Sequence, residues 1–208
     1  MSPKTAIVIL DPYNDFLHPE GKLYHLLAES IKDTDTITHL KDLVTTARKH
    51  KIPIYYGLHQ QCRPGFLAGW LHPTASQQSQ LEHKAFEEGS WGVEFFEGLE
   101  PSLENGDVVV SKHWGSSSFQ NTDLDHQLKQ REITHLVMAG LTANTCLEST
   151  ARYAYELSYN ITLLKDATAG FSTPQKDAAT ELVWPLFSNR VLTVDGWKAS
   201  LEEGSNKK

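Results

Sequence analysis

Three side chains that could act as base, cation and nucleophile each follow a separate apolar segment. Asp11 comes directly after residues 5–10, Lys112 follows a run of valines, and Cys146 follows residues 134–139 after a short turn. A carboxylate can move a proton, an ammonium group can stabilise a nearby anion, and a thiol can attack a carbonyl carbon. Each also has an ordinary structural interpretation: a loop cap, a solvated strand end and a small buried side chain, respectively.

The apolar segments are typical of buried strands in one parallel sheet. Continuous apolar runs indicate strands covered on both faces, and segments with helical spacing alternate with them along the chain. The carboxyl ends of parallel strands open onto one edge, where α/β proteins build their ligand sites. The pattern therefore predicts a three-layer α/β/α, Rossmann-like fold with a six-stranded, mostly parallel sheet that brings Asp11, Lys112 and Cys146 together.

Cys146 is predicted to lie on the first turn of a helix. Thr145-x-x-Glu148 has the form of a capping box, and apolar residues recur at helical spacing after it. Unpaired N–H groups and the positive end of the helix dipole would lower the pKa of a thiol at that position and would also bind an oxyanion. We therefore expect Cys146, and not Cys62, to be the reactive thiol.

Composition limits the classes of function. The chain has 208 residues, two cysteines and a net charge of -7. Its length suits a single domain over residues 1–208 with a flexible tail from about residue 203. The acidic balance argues against nucleic acid, and no apolar run suits a membrane span or a signal peptide. We expect a cytoplasmic protein that acts on a small molecule, and since no nucleotide-binding motif occurs, we predict no cofactor.

A long segment between about residues 58 and 106 is predicted to be mostly irregular. Loops of this length in a compact domain are usually lids or binding loops. This segment and the loops that follow the strands carry the side chains expected to line a substrate pocket. They are Phe16, His59, Trp91, Trp114 and Phe119.

Three collinear motifs resemble those of the isochorismatase-like, or cysteine hydrolase, superfamily. The first is D-x-x-N-D-F-L after strand one, and the second is a segment of the K-x-x-x-S-S-F type from Lys112 to Phe119. The third is G-x-x-x-x-T-C-x-x-S-T-A-R-x-A, which is followed by a strand and K-D-A-T. The resemblance covers about residues 5–169. It implies the six-stranded Rossmann-like fold and a catalytic triad of Asp11, Lys112 and Cys146.

The resemblance also implies a mechanism. In members that hydrolyse amides, the matching cysteine attacks the carbonyl to form a thioester, the matching aspartate moves the proton, and the lysine holds the aspartate. The family further implies a cis peptide bond between Leu141 and Thr142, an oxyanion hole formed by the N–H groups of Thr142 and Cys146, and a homo-oligomer, either a dimer or a tetramer.

Departures from the family pattern narrow the expected activity. Nicotinamidases carry D-x-H after the second strand and a second histidine, which together hold a metal ion. Here that stretch is Gly57-Leu58-His59, with His72 as a further candidate, so the aspartate is missing and no metal is predicted. We expect hydrolysis of a C–N bond in a small amide, imide, carbamoyl or ureide substrate. The alternatives are isochorismatase-type vinyl-ether hydrolysis with Asp11 as general acid, and a catalytically silent binding protein.

Overall fold

The computed structural model describes residues 4–205, which contain six β-strands and eight α-helices. The strands are β1 (Thr5–Leu10), β2 (Ile54–Gly57), β3 (Val108–Val109), β4 (His135–Gly140), β5 (Asn160–Leu164) and β6 (Arg190–Leu192). The helices are α1 (Asn14–Leu17), α2 (Ala28–Asp33), α3 (Thr36–Lys49), α4 (Ala75–Glu82), α5 (Leu124–Gln130), α6 (Glu148–Glu156), α7 (Thr173–Asp177) and α8 (Val194–Ser205). None of the helices in these residues has the length and apolar character needed to cross a bilayer.

The sheet has the order β3-β2-β1-β4-β5-β6, and every pair of neighbouring strands is parallel. The chain builds outward from β1 to β3 in one direction and then, from β4 to β6, in the other. The strand order therefore reverses between β1 and β4, whose last residues, Leu10 and Gly140, are paired. A crevice opens at the carboxyl ends of strands at such a reversal.

Alternate residues of β1 point to opposite faces of the sheet, and each face carries its own core. Ile7 and Ile9 pack with the cluster that includes the apolar faces of α3 and α8. Val8 and Leu10 belong to the cluster beneath α5 and α6. Both faces of the sheet are thus covered, which explains the continuous apolar sequence of β1 and confirms the three-layer α/β/α architecture.

Some local predictions differ from the structure. The segment after β2 is not wholly irregular, because α4 forms within it and is capped by Thr74. Residues 173–186 form a helical segment in which α7 is followed by a π-helical turn and a 3₁₀ turn. The tail expected from residue 203 begins inside α8, which runs to Ser205, and residues 206–208 lie outside the described residues.

Gly140 allows β4 to end close beside β1. Its φ of 102° is in the region that favours glycine, and a Cβ there would lie 2.3 Å from the Leu10 carbonyl oxygen and 2.4 Å from the Leu10 nitrogen. A side chain would therefore collide with the backbone of the central strand. Gly106 also has a positive φ, of 79°, but a Cβ there would meet nothing within 4 Å.

We expect Gly140→Ala to lower the free energy of unfolding by more than about 3 kcal/mol, because it combines an unfavourable φ with a backbone overlap. Gly106→Ala is the matched control and should cost only about 1–2 kcal/mol, from φ alone. Denaturant unfolding of both variants measures the difference. Equal losses would show that the close approach of β1 and β4 does not depend on the glycine.

Candidate active site

Asp11 lies fully buried at the carboxyl end of β1 and is held by the neighbouring strand. Its backbone N–H donates to the Gly57 carbonyl at 2.9 Å, and its φ is 51°. Oδ1 accepts a hydrogen bond of 2.6 Å from the His59 backbone N–H, whereas Oδ2 is buried without a hydrogen-bond partner. One carboxylate oxygen is thus anchored, and the other is available to take up a proton.

The side chain that pairs with Asp11 is His113, and not Lys112 as predicted. His113 is fully buried, with Nε2 3.2 Å from Asp11 Oδ1. Among the described residues, the Lys112 ammonium forms no hydrogen bond or ion pair, and its carbonyl accepts from Gln60 Nε2. The backbone of His113 forms a parallel bridge with the backbone of His59, so this segment is extended. Successive side chains of an extended segment point to opposite sides. The segment can therefore present His113 or Lys112 to Asp11, but not both.

The sequence contains a signal for this register. Ser117, Ser118 and Phe119 match the last three positions of K-x-x-x-S-S-F, and counting back from them places His113, not Lys112, at the first position. Lys112 is the lysine nearest to the first position of the motif, which is why it was predicted. This chain therefore carries histidine where the motif has lysine.

Hydrogen bonding indicates that His113 is an imidazolium. Nδ1 lies 2.6 Å from the Gly115 carbonyl oxygen, and Nε2 faces the Asp11 carboxylate. Both oxygens are acceptors, so both ring nitrogens must donate, which only the protonated ring can do. Burial lowers the pKa of His113, but the Asp11 charge and the two hydrogen bonds outweigh burial, so the pKa is raised.

Cys146 lies on a π-helical turn, Ala143–Leu147, that precedes α6. The predicted capping box is wrong: Thr142 is the residue before the turn, and its carbonyl accepts from the N–H groups of Thr145 and Leu147. Glu148 instead pairs with Arg152, one turn along α6. The wider turn still places Cys146 at the start of the helical segment, at the edge of the sheet beside Asp11.

The Cys146 thiol is not acidified as expected. Burial and the Asp11 carboxylate raise its pKa well above the ordinary value, although hydrogen bonds from the Thr145 hydroxyl and the Thr142 backbone N–H act in the opposite direction. The resting sulfur is therefore a thiol and needs a base. The Leu141–Thr142 peptide bond is cis, and the Thr142 N–H is directed at the sulfur.

Asp11, His113 and Cys146 form one buried group. One ligand atom of each lies within 4.8 Å of the others, and no other group of three His, Cys, Asp or Glu side chains in residues 4–205 is close enough to share a metal ion. His72, named as a candidate metal ligand, is not part of it. Because two members of the group hydrogen-bond directly to each other, the arrangement is that of an acid-base pair beside a nucleophile.

Cys146 lines a cavity of about 350 Å³, and Asp11 and His113 lie behind it, outside the lining. Of the predicted pocket residues, Phe16 and His59 line the cavity. Trp91, Trp114 and Phe119 do not. Trp91 is exposed and packs against His18, Trp114 stacks on Phe66, and Phe119 is buried against Tyr159. Bulky aromatic side chains in the loops cover the protein at these three positions instead of facing the cavity.

Helix α4 forms one wall of the cavity, and none of its residues was predicted to line a pocket. Its residues Ala75, Ser76, Ser79 and Gln80 line the cavity together with Phe86. A local signal was present, since Thr74-x-x-Gln77 forms a capping box in which both reciprocal hydrogen bonds occur. The helix carries few apolar residues, however, so apolar periodicity did not reveal it.

A larger cavity of about 670 Å³ lies beside Cys62 and contains no member of the buried group. Cys62 is also buried, and burial raises the pKa of its thiol. The nearby Glu87 carboxylate also raises that pKa, but Glu87 is paired with Lys22, and Cys62 belongs to no close group of three His, Cys, Asp or Glu side chains among residues 4–205. The smaller cavity is therefore the candidate active site.

Thr150 connects the Cys146 turn to the loop that carries His113. Its hydroxyl donates to the Cys146 carbonyl at 2.7 Å and accepts from the Ser118 backbone N–H at 3.0 Å. Thr150 is fully buried, so neither group could turn to water if the hydroxyl were removed. This one hydroxyl thus fixes the nucleophile turn against the loop that continues from His113.

We expect Thr150→Val, which keeps the shape but removes the hydroxyl, to destabilise the protein by about 1–3 kcal/mol through the buried N–H that it leaves unpaired. Thr150→Ser keeps both hydrogen bonds and is the control. The serine variant should unfold at a higher temperature than the valine variant and should show higher initial rates. A valine variant as stable and as active as the serine variant would argue against this connection.

Comparisons with known proteins agree with the geometry. A model of the isochorismatase domain matches residues 5–195. Ureidoacrylate amidohydrolase RutB of Caulobacter vibrioides is 32% identical over 192 residues, which cover 86% of this chain and 84% of that protein. The domain match, over residues 5–195, includes the segments that carry Asp11, His113 and Cys146.

Two solved structures have the same fold. A cysteine hydrolase from Pseudomonas syringae pv. phaseolicola superposes with a TM-score of 0.78 at 23% identity, covering 96% of this chain and 93% of that one. N-carbamoylsarcosine amidase from Thermoplasma acidophilum superposes with a TM-score of 0.64 at 25% identity, covering 92% and 97% of the two chains. The sequence match, the fold and the position of the site at the sheet edge agree, and the chain belongs to the isochorismatase family.

Proposed function

We propose that this protein is a cysteine-dependent amidohydrolase that cleaves a C–N bond of a small amide, imide, carbamoyl or ureide substrate. The observation that carries the proposal is the group of Asp11, His113 and Cys146, whose ligand atoms lie within 4.8 Å of one another beside a cavity. The names of two relatives, ureidoacrylate amidohydrolase and N-carbamoylsarcosine amidase, describe C–N bond hydrolysis and support this reaction class.

In the first half of the reaction, Asp11 acts as the base. Its unpartnered Oδ2 takes the proton from the Cys146 thiol while Sγ attacks the substrate carbonyl carbon. The negative charge that develops on the carbonyl oxygen is stabilised by the backbone N–H groups of Thr142 and Cys146. Asp11 then returns the proton to the leaving nitrogen, the C–N bond breaks, and a thioester remains.

In the second half, water replaces the departed amine. Asp11 removes a proton from this water, whose oxygen attacks the thioester carbonyl, and collapse of the tetrahedral intermediate expels the Cys146 thiolate. The proton held by Asp11 returns to the sulfur, and the acid product leaves. Each half-reaction uses the same base, so the site returns to its starting protonation state.

His113 supplies a positive charge beside Asp11 that stabilises the negative charge moving between Asp11 and Cys146 during proton transfer. Burial and the Asp11 carboxylate together raise the pKa of the Cys146 thiol at rest. The imidazolium offsets the charge on Asp11 and keeps Oδ1 in place, while Gly115 fixes the ring. In this role His113 takes the place of the lysine that the family motif implies.

Cys146→Ala should reduce ammonia release from a reactive amide by about 10³-fold or more, because no other group can form the thioester. Cys62→Ala is the control and should stay within a few-fold of the wild-type rate. Ammonia release from a panel of amides and ureides is the measurement. Retained amide hydrolysis by the alanine variant would contradict the mechanism, and vinyl-ether cleavage by it would favour the isochorismatase-type alternative.

The charge on His113 should set the alkaline limit of activity. The pKa of this ring is raised, so the imidazolium is present below that pKa and is lost as the pH rises through it. Values of kcat/KM should then fall about tenfold per pH unit above the limit. His113→Lys should move the limit to higher pH, since a lysine ammonium ordinarily titrates near pH 10.4.

Lys112→Met is the matched control for that experiment, because Lys112 lies next to His113 and its ammonium has no partner among the described residues. Its pH profile should follow that of the wild-type protein. If the alkaline limit of His113→Lys is unchanged, His113 does not set that limit. If Lys112→Met loses activity, Asp11 depends on Lys112 and not on His113 alone.

A further inference from the structure

The lining of the active-site cavity differs from what a charged substrate requires. Its fourteen residues, all described, include no Asp, Glu, Lys or Arg. His59 is the one lining residue that could carry positive charge near neutral pH, and burial lowers its pKa. The His113 imidazolium is already paired with Asp11. A carboxylate inside this cavity would therefore lose its hydration without gaining a cation.

Part of the cavity lining is apolar. Phe16, Leu23, Leu26, Phe86 and Phe171 contribute side chains to the lining, and the rings of Phe16 and Phe86 contact each other edge to face at 5.0 Å between centroids. Such a surface favours a hydrocarbon or aromatic group.

We infer that the substrate is an uncharged amide or ureide with an apolar body. The inference rests on the proposed function, since only an enzyme has a substrate. The selectivity of the cavity, however, can be measured without turnover. Cys146 lies in the same cavity, so the rate at which small electrophiles alkylate it reports which chemical groups the cavity admits.

The test compares iodoacetamide with iodoacetate at one pH below the alkaline limit of activity, with each rate divided by the rate of the same reagent with glutathione. Peptide mapping by mass spectrometry separates Cys146 from Cys62. We expect the normalised rate at Cys146 to be at least tenfold higher for the neutral reagent. Ser76→Arg, which places a cation at an exposed position of the lining, should reduce that preference.

Equal normalised rates, faster labelling by iodoacetate, or no labelling of Cys146 by either reagent would overturn the uncharged-substrate inference. These outcomes differ from a failure of the proposed function. In that case no amide or ureide would release ammonia, while the alkylation preferences would remain.

Discussion

The buried Asp11 carboxylate is the constraint that organises the site. A charge with no access to water must be paired and hydrogen-bonded. Here Asp11 Oδ1 accepts a hydrogen bond from the His59 backbone N–H and is also paired with the His113 ring. To supply them, the chain after β2 must pass close to Asp11, and the chain after β3 must lie against the chain after β2. The sheet order satisfies both demands because β1, β2 and β3 are adjacent.

Histidine satisfies the Asp11 carboxylate in a different way from lysine. An ammonium group rotates freely and can hydrogen-bond in several directions, whereas an imidazolium has two fixed donors on opposite sides of a ring. The second donor therefore needs its own acceptor, and the chain bends after Trp114 to bring the Gly115 carbonyl to Nδ1. Because histidine titrates near neutral pH, its charge depends on that acceptor and on Asp11, so the loop helps to maintain the protonation state of the pair.

The sequence predicts the parts of the molecule that depend on repeated patterns. Buried parallel strands leave continuous apolar runs, so the sheet and the positions of Asp11 and Cys146 at its edge could be predicted. The pair Lys112 and His113 could not be separated by this reasoning, since a shift of one residue reverses the side to which every side chain points. The packing of Trp91 and Trp114 against distant loop residues leaves no local pattern, and neither does the π-helical turn at Cys146.

The residues of the site come from two parts of the fold, the strand ends and a connecting segment, and the fold fixes the positions of the first more strictly than those of the second. Asp11, His113 and Cys146 follow strands of one sheet, so their positions are fixed by strand pairing that the whole fold requires. The wall formed by α4 and Phe86 comes from the segment between β2 and β3, which can vary without disturbing the sheet. Membership of the family therefore supports the reaction at Cys146 more strongly than it supports any relative's substrate. The uncharged lining of the cavity includes residues from this variable segment, so the substrate has to be argued from this chain's own lining residues and not from a relative's name.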